Sequence, residues 1–141
     1  MKLKRSFLRW YLVLALAFGI LGLLDSLLTF FDVVNNVYVA VVVLLSAAFF
    51  LYNIVVIPVF HAHRVERIAY VLPIYHICTF LLFFGFGFLT KALNILVDWL
   101  WMVVVGAGLL SAVFEVGFAL YLMKKLDVFQ GQANSPSSQA A

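Results

Sequence analysis

Charge is scarce in this chain. Only 11% of its 141 residues are Asp, Glu, Lys or Arg, against about 25% in an ordinary soluble domain. With 67% of residues hydrophobic, the polar groups are too few to cover a water-facing surface, and lipid is left as the solvent. Cysteine is almost absent. A lone Cys78 excludes an intramolecular disulfide and any redox or metal chemistry that needs a cysteine pair. Set in an apolar run, it reads as a small core residue. Phosphate loops are missing too. Gly85-x-Gly87 and Gly106-x-Gly108 have no strand before them and no Lys-Ser/Thr after them, so their expected use is helix packing. No nucleophile stands beside a base in any recognisable pattern, so no enzyme activity and no cofactor are expected. Nine basic residues against six acids give a net charge of +3. They flank apolar runs rather than forming a patch, so nucleic acid is not an expected partner.

What is present is apolar length. A membrane-spanning helix takes about 20 apolar residues, and this chain holds four such stretches. The reading is an all-α integral membrane four-helix bundle over residues 1–126, with helices at about 10–31, 37–60, 68–89 and 99–123. Short connectors join them, and the polar tail 127–141 is expected to be disordered. Ala15-Leu16-Ala17 has the form of a cleavage site but lies inside its apolar run, so the first segment reads as an uncleaved helix whose end is softened by Asp25 and Ser26. Asn35-Asn36 marks the first turn. Pro73, early in the third helix, is expected to kink it.

Orientation follows from the basic residues. Lys2, Lys4, Arg5, Arg9, Arg64, Arg67, Lys124 and Lys125 fall at one end of the bundle; Lys91 alone falls at the other. That bias puts both termini in the cytoplasm, and the expected location is a bacterial inner (plasma) membrane. Trp10, Tyr11, Tyr70 and Tyr121 read as aromatic anchors at the inner interface; Tyr38, Trp99 and Trp101 read as anchors at the outer one.

Strongly polar groups inside a bilayer are costly and need a reason. Asn53 lies seven residues before Phe60, His76 eight after Ile68, and Glu115 eight before Met123. At 1.5 Å of rise per residue, each is about 10–12 Å from the cytoplasmic end of its helix. Ser46, Thr79, Ala107 and Ser111 share their helix faces. The expectation is a polar layer from the second, third and fourth helices, centred on a His76–Glu115 contact. It serves either as an interhelical hydrogen-bond clamp or as a proton-linked site in which a desolvated carboxyl trades protons with an imidazole.

Two other clusters read as solvated rims. His61 and His63 sit in the second connector without further ligands for a metal. Asp25, Asp32, Lys91 and Asp98 gather at the outer side. Haem needs two facing histidines, and only His76 lies within a span. The functional expectation is therefore a non-enzymatic accessory, assembly or immunity-type subunit that works through helix contacts with another membrane protein or with itself. The alternative is a small oligomeric proton-linked transporter or channel using Glu115 and His76, most simply a symmetric dimer. The topology makes one prediction: a tag placed beyond Ala141 stays hidden from a membrane-impermeant reagent in intact cells and is labelled once the membrane is permeabilised.

Overall fold

A computed structural model describes residues 2–93 and 98–126. Among these residues the chain is all-helical. The helices are α1 (Lys2–Phe30), α2 (Asn36–Ala62), α3 (Val71–Leu93) and α4 (Asp98–Lys125), with a 3-10 turn at Arg67–Tyr70. All four are long and apolar enough to cross a membrane. The expected tail 127–141 and part of the third connector, 94–97, lie outside the described residues.

Three boundaries differ from the sequence reading, each for a local reason. First, α1 runs unbroken from Lys2 through Asp25 and Ser26; these two residues are polar but have no geometric reason to end a helix. Second, α1 and α2 both stop in the same capping geometry. After α1, the Val33 amide donates to the Leu28 carbonyl at 3.1 Å and Asp32 donates to Thr29 at 3.2 Å. After α2, Val65 donates to Phe60 and Arg64 to His61, both at 3.0 Å. This double closure needs a left-handed residue, usually glycine; here Asp32 (φ 54°) and Arg64 (φ 48°) take that role. Buried Val65 then packs into the same cluster as Phe60. Third, α3 starts at Val71, so Pro73 falls in its first turn, preceded by a 3-10 turn at Arg67–Tyr70. Pro73 has no N–H for the Ala69 carbonyl, so residues 67–70 wind more tightly, with Ala69 donating to Glu66 at 2.9 Å. At its other end α3 continues to Leu93. The start of α2 follows the turn signal: the Asn35 side chain accepts from the Tyr38 amide at 2.8 Å.

The helices alternate in direction. α1 packs along α4 and α2 along α3, and a thinner α3–α4 contact joins the two pairs. Both described ends and the α2–α3 connector therefore share one end of the bundle, called here the terminal end. The opposite end carries the α1–α2 connector.

The faces turned outward are as apolar as the core. Leu44, Leu82 and Leu110 are each at least 70% exposed. Such surfaces gain little by meeting one another in lipid, so close packing and interhelical hydrogen bonds must hold the bundle. The α1–α4 seam supplies the packing. Gly19 sits against Val116, Gly22 against Ala112, and Ser26 against Gly108, which lets the two backbones approach closely. Of the two Gly-x-Gly pairs expected to serve packing, only Gly108 does so. A side chain at Gly85, Gly87 or Gly106 would meet open space. Ala107, expected on the polar face, is exposed, and its neighbour Gly108 takes the contact. Cys78 is also exposed and faces outward, not into the core.

The seam makes the second prediction. A Cβ at Gly19 would lie 2.8 Å from Val116 Cγ2 and 3.2 Å from the Val116 backbone nitrogen, and a β-branched valine in a helix has little freedom to move aside. Gly19→Leu should therefore cost about 1–3 kcal/mol in a reversible unfolding assay in bicelles, while Gly85→Ala leaves stability at or above that of the parent chain.

Candidate functional site

The buried side chains crowd into the terminal half of the bundle. α1 contributes Leu8, Tyr11, Leu12 and Ala15; α2 contributes Phe49, Asn53, Val56 and Phe60; α4 contributes Ala112, Glu115, Ala119 and Leu122. Each set recurs at the three- and four-residue steps of one helix face. In the opposite half Thr90 is the one buried residue among those described, and its hydroxyl donates to the Phe86 and Gly87 carbonyls of its own helix. The rest of that half is a cavity of about 600 Å³, a size typical of small-molecule sites. It reaches from the middle of the bundle to Thr29 and Lys91 near the end opposite the termini.

At its floor lie His76 and Glu115. The Nδ1 of His76 is 2.9 Å from Oε1 of Glu115, with side chains 14% and 8% exposed. Both atoms are fully buried and neither has a partner other than the opposing one. The approach is at ion-pair distance, and a proton on either group would make the two atoms donor and acceptor. The contact joins α3 to α4 where those helices otherwise touch little.

The imidazole is fixed by aromatic rings. Phe49 meets it edge-to-face with centroids 4.4 Å apart, and Phe18 does so at 6.4 Å. Those two phenyl rings stack on each other at 3.9 Å. Oriented neighbours of this kind restrict an imidazole's rotation and so keep Nδ1 aimed at the carboxyl.

The expected polar layer is therefore divided. His76 and Glu115 meet as the sequence predicts. Asn53 belongs to a separate bond: its Oδ1 accepts from the Tyr11 hydroxyl at 2.8 Å, and its Nδ2 donates to the Phe49 carbonyl at 2.7 Å. Tyr11, expected as an interfacial anchor, is completely buried. Ser111 accepts from the Tyr75 hydroxyl at 2.8 Å, a second α3–α4 link. Thr79 donates to the Tyr75 and His76 carbonyls of its own helix and lines the cavity, as does Ser46. Between this floor and the terminal end, Tyr11, Phe60 and Leu72 fill the bundle.

Of the outer acids, Asp25 lines the cavity and pairs with the Tyr38 hydroxyl. Asp32 is exposed at the cap of α1. The Asp98 side chain falls outside the described residues. His61 and His63 are exposed at the end of α2, and no group of three metal-ligating side chains occurs among the described residues.

The sequence reading missed Tyr11, Phe18, Phe49 and Tyr75. The available signal was spacing. Tyr11 lies on the same face of α1 as Leu8, Leu12 and Ala15, and Phe49 lies one turn before Asn53.

No protein-family model, no curated protein and no solved structure matches this chain. Function is therefore argued from the site.

The Tyr11–Asn53 bond ties α1 to α2 in the packed half. Tyr11→Phe strands a buried amide oxygen and should cost about 0.6–2 kcal/mol by the same unfolding assay. Trp10→Phe, at an outward-facing neighbour, should leave stability unchanged.

Proposed function

We propose that this chain is a small proton-linked membrane carrier whose working group is the His76–Glu115 pair. One observation carries the reading: the His76–Glu115 pair, 2.9 Å apart inside the spans, lies at the floor of a cavity that reaches one end of the bundle. A purely structural clamp gains from close packing on every side, because any void beside it forfeits contact energy. This pair is packed by Phe18 and Phe49 yet also borders the cavity. An ionisable couple within a span, reachable from one side and sealed on the other, is the arrangement a proton-exchanging carrier needs. A proton held between imidazole and carboxyl can leave through the cavity, and a solute entering the cavity meets the group that released it.

The membrane is taken to be a bacterial inner membrane, with both termini cytoplasmic. On that orientation the cavity faces outward. Four helices rarely enclose a gated path alone, and a symmetric dimer is the simplest complete carrier. The accessory-subunit reading draws on a different feature. Gly85 lies exposed on α3 with open space where a side chain would stand, and a small residue there permits close approach of another helix in lipid.

Glu115→Gln separates these readings. The amide keeps the size and hydrogen-bonding reach of the carboxyl but cannot exchange its proton. In vesicles loaded with a pH-reporting dye, the parent chain should dissipate an imposed pH gradient. The variant, with unchanged detergent melting behaviour, should fall to the rate of empty vesicles. A variant as active as the parent would return the pair to the role of a clamp.

A further inference from the structure

We infer that the cavity binds a hydrophobic organic cation, an amine or onium bearing apolar groups, and that the cation pairs with Glu115 in exchange for the proton shared with His76. This rests on the reading of that pair as a proton site and adds the chemical class of the solute.

The lining selects the charge. Phe80, Phe83, Phe84, Phe88 and Trp101 form much of the wall, and an aromatic face attracts cations and repels anions. Thr79 donates to carbonyls of its own helix, and the remaining hydroxyls of the wall, such as Ser46 and Ser111, are neutral groups that favour neither sign of charge. Nearer the mouth the wall includes one carboxyl, Asp25, and one amine, Lys91. The floor holds one carboxyl and one imidazole, so loss of the shared proton leaves a single negative charge there. An anion would find its only full positive charge at the rim, on Lys91.

The ionisable groups around Glu115 are few. α3 brings His76 and, one turn away, Tyr75. α1 brings Tyr11, a buried neutral phenol bonded to Asn53. α2 contributes Tyr52, stacked on Tyr11 with centroids 6.1 Å apart, and the neutral amide of Asn53. None of these carries a fixed positive charge that would compete with a bound cation for Glu115.

The exchange balances. The cation enters, the proton leaves the pair for the solvent, His76 stays neutral, and the floor remains uncharged overall. Burying a cation against a lone carboxylate is tolerable because each ion neutralises the other.

Tetraphenylphosphonium and tetraphenylborate share a shape and differ in sign, so they test the inference on the full chain in detergent. Calorimetry in two buffers of different ionisation enthalpy should show saturable phosphonium binding with release of a proton. Its affinity should exceed that of the borate by at least about tenfold. Glu115→Gln should abolish both binding and proton release, and Glu115→Asp, which keeps the carboxyl, should restore a measurable part of each. Equal or tighter borate binding, phosphonium binding indifferent to Glu115→Gln, or no saturable phosphonium binding would each overturn the inference. Should the inference fall while a Glu115-dependent proton flux persists in vesicles, the proton-site reading stands and the solute belongs to another class. Loss of both removes the two together.

Discussion

An ionisable group in hydrocarbon must be paired, protonated or in reach of water, and the rest of this molecule follows from how Glu115 meets that demand. Its carboxyl oxygen sits 2.9 Å from His76, so a proton between them removes the need for two isolated charges. The arrangement requires α3 and α4 to bring one residue each to the same depth and an imidazole held in a fixed rotation. The rings of Phe18 and Phe49 supply the second, and the pair borders the cavity.

The two halves of the bundle divide the work. The terminal half is closed by ordinary packing and by the Tyr11–Asn53 bond. The opposite half gives up packing to the cavity, and that loss has to be offset elsewhere. The close seam between Gly19, Gly22 and Ser26 of α1 and the facing residues of α4 does so along one side. Apolar area contributes little here, because lipid is as good a solvent for leucine as another leucine is. The positions that decide stability are therefore small residues and buried hydroxyls, not large hydrophobic ones.

The fold was legible in the sequence to the level of four spans and their alternation, because hydropathy and the distribution of Lys and Arg carry that information directly. The His76–Glu115 contact was legible as well, since equal depth from the helix ends is a simple count. The partner of Asn53 was not. A tyrosine near a helix end has two good uses, at the interface or in the core, and the neighbours of Tyr11 had to be read as a helix face to tell them apart. The packing glycines were misassigned for a similar reason. Gly85 and Gly106 stand in conspicuous pairs but point outward, whereas Gly19 and Gly22 face Val116 and Ala112 across a seam that no local pattern announces. The cavity leaves no mark in composition, because its wall and the lipid-facing surface use the same residue types.

Nitrogen NMR of the full chain in lipid bilayers, with histidine labelled and His61 and His63 replaced so that His76 alone reports, addresses the central claim directly. The account predicts that the Nδ1 resonance of His76 senses Glu115: it shifts in Glu115→Gln and exchanges its proton with solvent through the cavity. A His76 resonance unchanged by that substitution, or a proton at Nδ1 that never exchanges in the folded protein, would contradict it.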